Sequence, residues 1–342
     1  MRAKRSRLRR WCAWGLVGLA LCGCDEPGVL PIELDTNGWV DPRRLGDEPE
    51  PAGPLPVRLT LAASSFYSAP AEARLRETMA SWFTSRTEIQ TEVVTTLASE
   101  DAGEALLRGE VDVAQLSPYA CIQVAERSDD VALLAASVAQ GTTTYASYLV
   151  TRADSDVDSL GAARGRKLAF THPWSASGFL YPWDALRRLG FSPGADFQVS
   201  FTGDHDDALD AVLAGIVDVA AVSSDTLVSR NVLGIAGPVR IVAKTGRVPY
   251  DCVAARRSLG DRALHRLRRA FFELSILTPE GRSVLRDYGL VNGFVPLPPG
   301  HYEPVAALHR AHRADLEALV ARIPPPKEAA APLRPSSKRP RL

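Results

Sequence analysis

Residues 166–188 read RKLAFTHPWSASGFLYPWDALRR. Lys167 to Phe170 is a short apolar run that predicts a strand. Thr171 to Gly178 is turn-like and rich in small hydroxyls. From Phe179 the apolar residues Phe179, Trp183 and Leu186 recur at helical spacing. Pro182 falls in the first turn of that helix, where its missing N–H costs little. Ser175, Ser177 and Gly178 then sit where a strand feeds a helix N-terminus. Free N–H groups and the positive end of the helix dipole point into that loop, and such a place binds an anion without Arg or Lys. The plainer reading is a capped helix start, in which Ser175 or Ser177 only satisfies backbone donors.

Outward from this stretch, strands alternate with helices. Val57–Ala62, Glu92–Thr95, Val111–Leu116, Gln198–Phe201 and Val217–Val222 read as strands; Pro70–Ser85, Ala102–Arg108 and Asp206–Ala214 read as helices. The alternation argues for α/β architecture with mostly parallel sheets. The chain also repeats itself weakly. Leu107-Arg108-Gly109-Glu110-Val111-Asp112-Val113-Ala114 matches Leu213-Ala214-Gly215-Ile216-Val217-Asp218-Val219-Ala220, each a helix end, a Gly C-cap and a strand. Upstream of each lies a second similar pair. Arg58–Leu61 leads through Ser64, Ser65 and Tyr67 to a helix, as Lys167–Phe170 leads through Ser175 and Ser177. Two such units imply two lobes, each aiming a hydroxyl-bearing helix start at a shared cleft. Thr142–Val150 and the extended stretches Val239–Ala243 and Val248–Val253 are natural crossovers between them. Residues 259–289 are helical and return to the first lobe, with Leu264, Leu267, Phe271 and Leu274 on one face.

The 342 residues have net charge zero, 46% hydrophobic and 23% charged content, so no bulk field attracts nucleic acid or an anionic membrane. Charge gathers at the start, where six of the first ten residues are Arg or Lys. The apolar segment Trp11–Cys22 that follows is too short to span a bilayer and suits a secretory signal. It ends in Leu21-Cys22-Gly23-Cys24, which resembles the lipobox of bacterial lipoproteins. That resemblance implies a signal peptide over 1–23 and lipidation of Cys24, with anchoring to the membrane rather than threading through it. Residues 24–56 read as a tether, and the Pro- and charge-rich stretch 323–342 as a disordered tail. Cys121 and Cys252 remain within the folded part; in an oxidising compartment they could pair, although two buried free thiols are the commoner outcome. No Cys/His spacing suggests a metal site, and no cofactor motif is present.

Several stretches resemble the periplasmic phosphate/phosphite/phosphonate-binding proteins of ABC importers. They are Gly109–Ala114, Thr144–Ser147, Ser175–Gly178, Gly203-Asp204-His205-Asp206, Gly215–Asp218 and Val248–Asp251. The resemblance implies a two-lobed type II periplasmic-binding-protein fold, with two mixed sheets flanked by helices and two crossover strands. Lobe 1 would take residues 57–148 and 249–322, and lobe 2 residues 149–248. Carried over by position, Ser175, Ala176 and Ser177 would hold the phosphonate oxygens and His205 would add a donor. Tyr145 would line the pocket; Asp225 and Asp251 would accept from a ligand amine or a protonated phosphonate oxygen. Two departures stand out. The family's middle loop residue is usually Thr and here is Ala176, a loss of about 0.5–1.5 kcal/mol for one hydrogen bond. Leu116-Ser117-Pro118-Tyr119 lacks an aromatic at the position some members use, leaving open whether Tyr119 compensates.

The implied function is a lipid-anchored solute-binding protein on the periplasmic face of a bacterial membrane. It would deliver a phosphorus oxyanion to an ABC permease and do no chemistry on it. The alternative is a sensing role for a signalling partner, or a different small anion, on the same fold. A hydrolase built on Ser175, His205 and Asp225 lacks the G-x-S-x-G elbow.

Overall fold

A computed structural model of the chain describes residues 49–64, 69–96, 99–234 and 237–323. The signal segment, Cys24, most of the tether, Ser65, Tyr67 and the tail from Pro324 lie outside the described residues.

The first sheet has strand order β11-β4-β10-β3-β1-β2. Its strands are β1 (Arg58–Ser64), β2 (Gln90–Thr96), β3 (Val113–Leu116), β4 (Val131–Ala139), β10 (Cys252–Arg256) and β11 (Val291–Val295). The second has order β7-β6-β8-β5-β9, from β5 (Thr144–Arg152), β6 (Lys167–Phe170), β7 (Gln198–Phe201), β8 (Val219–Ser223) and β9 (Val239–Pro249). Each contains a parallel βαβ unit: β1 with β2 and β3 in the first, β6 with β7 and β8 in the second. Antiparallel strands complete both, so the sheets are mixed. This is the two-lobed type II binding-protein architecture.

The helices are α1 (Ala69–Thr87), α2 (Ser99–Arg108), α3 (Pro118–Arg127), α4 (Tyr181–Arg188), α5 (Pro193–Asp196), α6 (His205–Leu213), α7 (Ser224–Val232), α8 (Asp261–Glu273), α9 (Pro279–Leu285) and α10 (Glu303–Arg322). Each repeated Gly-x-Val-Asp has the same structural task in its lobe. Gly109 and Gly215 end their helices at φ +71° and +70°, which a Cβ would strain. The Asp that follows accepts from the first strand of its own unit: Asp112 Oδ2 from Thr60 N–H at 2.9 Å, Asp218 Oδ2 from Lys167 N–H at 3.0 Å. The repeat therefore fixes two like βαβ units, and its carboxylates hold strands rather than ligand.

The lobes are joined by two extended crossovers that run side by side. Thr144 of β5 is in register with Pro249 of β9, and Tyr250 N–H donates to Thr143 O at 2.9 Å. One apolar cluster, with Leu59, Val93, Phe83 and Phe271, fills the α1/α8 side of the first sheet. A larger one runs from Leu116 and Val124 of the first lobe to Phe170, Phe179 and Trp183 of the second. Val305, Leu316 and Leu319 of α10 belong to that second cluster. Helix α10 touches both lobes by polar contacts as well: His309 Nδ1 lies 2.8 Å from Tyr119 Oη, and His312 Nε2 lies 2.9 Å from Asp184 Oδ1.

Three expectations change. Cys121 of α3 and Cys252 of β10 form a disulfide, where two free thiols were the commoner expectation; neighbouring elements bring them face to face in the first lobe. The helix after the hydroxyl loop starts earlier than Phe179, because Ala176–Leu180 already forms a π-helical turn leading straight into α4. The end of the expected tether is held to α8, where Glu50 pairs with Arg262 and Arg266.

Candidate functional site

The hydroxyl loop lies at the carboxyl end of β6. Ser175 is the N-cap of the π turn, and its Oγ accepts from Gly178 N–H at 2.9 Å. The plain capping reading of Ser175 is thus realised. A hydroxyl that accepts from an N–H still has its own hydrogen to donate. Gly178 is demanded by close approach: a Cβ there would stand 2.6 Å from Thr171 Cγ2. The N–H groups of Ala176 and Ser177 fall in the first turn, where a helix supplies no acceptor of its own.

Ser177 is the centre of the site. It is 1% exposed, and its Oγ lies 3.0 Å from Tyr145 Oη and 3.1 Å from His205 Nε2. His205, in the first turn of α6, accepts Ser223 N–H on Nδ1 at 3.2 Å. That bond places the ring proton on Nε2. Burial pushes the His205 pKa down to about 4, so the ring is neutral near pH 7. Tyr145 and His205 therefore both donate into Ser177 Oγ, and the Ser177 hydrogen is left to donate outward. Ser147 Oγ fixes the same residue from behind, donating to Ser177 O at 2.6 Å. His205 faces Ser177, not Ser175, and its Nδ1 is held by a backbone N–H, so Ser175, His205 and Asp225 do not form a hydrolase triad.

The acidic side of the site forms around the crossovers. Tyr145 and Tyr250 stack at 4.8 Å. The Tyr250 hydroxyl bonds Asp225, in the first turn of α7. Gln140 Nε2 also donates to Asp225 Oδ1 at 3.2 Å. Asp251 accepts from Gln115 Nε2 at 3.2 Å. Burial, and then the negative charge of Asp225, raise the Asp251 pKa to about 7; burial raises that of Asp225. The charge of Asp225 thus adds to burial in favouring the protonated form of Asp251. Burial also raises both tyrosine pKa values, so their hydroxyls stay donors.

The structure thus brings Ser177, Tyr145 and His205 into one bonded cluster and sets Asp225 and Asp251 near the crossovers, each bonded to its own partner, Gln140 and Gln115. Ser175 caps the turn, and Ala176 is buried in it. Tyr119 does not make up for the missing aromatic: its hydroxyl turns away to His309. Several residues had no functional reading in the sequence. Gln115 is a polar residue in the buried strand Val-Ala-Gln-Leu, and its Oε1 has no partner among the described residues; the same holds for buried Ser137 Oγ on β4. A buried polar residue in an apolar run was the available signal. Tyr250, Gln140 and Ser147 gave none beyond strand patterning. Among the described residues no group of acidic, His or Cys side chains could hold a metal ion, and no helix is long and apolar enough to cross a membrane.

Two lobes of this topology, with a polar cluster beside paired crossovers, define a periplasmic-type solute-binding protein. The model of one family, described as ABC transporter, phosphonate, periplasmic substrate-binding protein, matches residues 61–302, and the chain belongs to that family. It is 30% identical over 190 residues to the phosphate-import protein PhnD of Mycolicibacterium smegmatis; the match covers 51% of this chain and 59% of that one. The match thus spans little more than half of that relative. Among solved structures, a binding-protein component of an ABC phosphonate transporter from Pseudomonas aeruginosa superposes with TM-score 0.64 at 20% identity, covering 79% of this chain and 96% of that one. PhnD1 from Prochlorococcus marinus, in complex with methylphosphonate, gives TM-score 0.64 at 14% identity over 75% of this chain and 98% of that one. At these identities the structural likeness concerns the fold.

Proposed function

We propose that this protein captures a phosphorus oxyanion (phosphonate, phosphite or phosphate) in the interlobe cleft and delivers it to an ABC permease. The observation that carries the reading is the Ser177 hydroxyl, which takes two hydrogen bonds and keeps its own hydrogen to donate. A tetrahedral oxyanion would accept from Ser177, from Ser175 and from the first-turn N–H groups of residues 176 and 177. All are neutral donors, and the helix dipole adds to them. His205 supports the grip through Ser177. Tyr145 lines the pocket beside it. Asp225 and Asp251 repel a fully ionised phosphate and favour a monoprotonated or amine-bearing ligand. The lobes would close about the two crossovers. Lipidation of Cys24 would hold the protein at the periplasmic face of the membrane beside its permease.

The test is calorimetry of the full-length protein with phosphate, phosphite, methylphosphonate, 2-aminoethylphosphonate and sulfate. One phosphorus oxyanion should bind well above the rest, and Ser177→Ala should weaken it at least tenfold, about 1.4 kcal/mol. Binding of none, or equal binding to Ser177→Ala, refutes the reading. Mass spectrometry of membrane fractions decides the lipid on Cys24.

A further inference from the structure

The loop that carries Ser175 and Ser177 also reaches into the opposite lobe. Trp174 immediately precedes Ser175, and its backbone O accepts from Ser117 Oγ at 2.9 Å. Ser117 is the N-cap of α3, a first-lobe helix. The indole lies against α2 and α3. A Cβ on Gly103 of α2 would stand 3.0 Å from the Trp174 ring and 3.1 Å from Val124 Cγ1 of α3. The ring therefore fits where it does because residue 103 has no side chain. The Arg127 guanidinium lies over the ring, 5.9 Å from its centroid, and is itself tied to Glu104 of α2.

The loop moves as a unit. Trp174 N–H donates to His172 Nδ1 at 3.2 Å and Ser175 N–H to His172 O at 2.9 Å, so the indole and the hydroxyl donors keep a fixed relation. Rotation of the lobes about the crossovers must draw the indole out of its groove, exposing apolar surface and breaking the bond to Ser117. Helix α10 also touches both lobes, but it carries none of the proposed anion donors.

We propose that Trp174 is a positioning residue that couples anion capture at Ser175–Ser177 to lobe closure, by seating in the first-lobe groove of Gly103, Val124 and Arg127. The coupling to ligand rests on the phosphorus-oxyanion reading above; the seating itself does not. Only the seated form presents the donors against the first-lobe groups Asp251 and Gln115, which bond each other at 3.2 Å, so apparent affinity scales with the fraction of molecules in which the indole is seated.

The experiment perturbs the contact from both lobes in the full-length protein. Trp174→Ala removes the indole, and Gly103→Leu fills its groove. Trp174→Phe keeps a ring there. Solution scattering without ligand reads closure directly. Both disruptive variants should have a larger radius of gyration than the wild type, with unchanged circular dichroism, and Trp174→Phe should fall between. With whichever phosphorus oxyanion binds the wild type, the disruptive variants should lose about tenfold or more in affinity, chiefly through faster dissociation. An unchanged radius of gyration in Trp174→Ala and Gly103→Leu overturns the latch. A larger radius with unchanged affinity overturns the coupling. If the wild type binds no phosphorus oxyanion, the functional reading fails, while the ligand-free scattering still decides the seating.

Discussion

Replacing Asp251 by Asn should change how stability depends on pH, with a sign and size that follow from the site. The Asp251 pKa is raised from 3.8 to about 7 by burial and by Asp225. Its folded pKa lies above its unfolded one, so the folded protein holds that proton more tightly. Stability from this group is present below about pH 4 and is lost as pH rises from about 4 to about 7. Three units at about 1.4 kcal/mol each give a ceiling of about 4 kcal/mol, and partial solvent access brings the expectation to about 2–4 kcal/mol. His205 acts in the opposite sense in nearly the same window. Its pKa is lowered from 6.5 to about 4, so its burial costs stability as pH falls through that range. In the wild type these two contributions oppose each other over that window. The difference between Asp251→Asn and wild type removes the His205 contribution, which both share. In urea unfolding without ligand at pH 4.5, 6 and 8, the variant should gain about 2–4 kcal/mol on the wild type between the first and last conditions. A difference that stays constant within about 0.5 kcal/mol across that range refutes the burial and repulsion argued for Asp251.

The disulfide closes a loop of sequence separation 131 between α3 and the strand that follows Asp251. Replacing Cys121 and Cys252 by Ser should cost about 2–5 kcal/mol in urea unfolding, and a cost under about 1 kcal/mol would mean the bond constrains little. Gly178→Ala should lower stability by about 1–3 kcal/mol, since its Cβ would collide with the Thr171 side chain. Calorimetry of the same variant should also show weaker binding, because the turn that presents Ser177 must shift; a stable variant with unaltered affinity would count against the rigid loop.

Much of the candidate site was open to reading because local chemistry announces it. A strand, a run of small hydroxyls and an amphipathic helix in a row mark Ser175 and Ser177 without further knowledge. His205 and Tyr145 were named as site candidates by resemblance to a family, and the structure places both against one oxygen, Ser177 Oγ. The Gly-x-Val-Asp repeat carried the two-lobe plan, while the task of its carboxylates, holding the neighbouring strand, needed the register of β1 with β3 and of β6 with β8.

By itself the sequence determined the periodicities, the turn residues and the order of elements, because these depend on neighbours within a few positions. It determined two βαβ units, the extended stretches between them and the hydroxyl-rich turn after β6. Tertiary structure alone decided what is distant along the chain and close in space. The pairing of Cys121 with Cys252, the effect of the Asp225 charge on Asp251 and the Gln115 bond to Asp251 all depend on β10 returning to lie between β3 and β4. The seat of Trp174 against Gly103 depends on how two lobes meet. A carboxylate's pKa and a ring's partner follow from desolvation and contact, and no local pattern of residues encodes either.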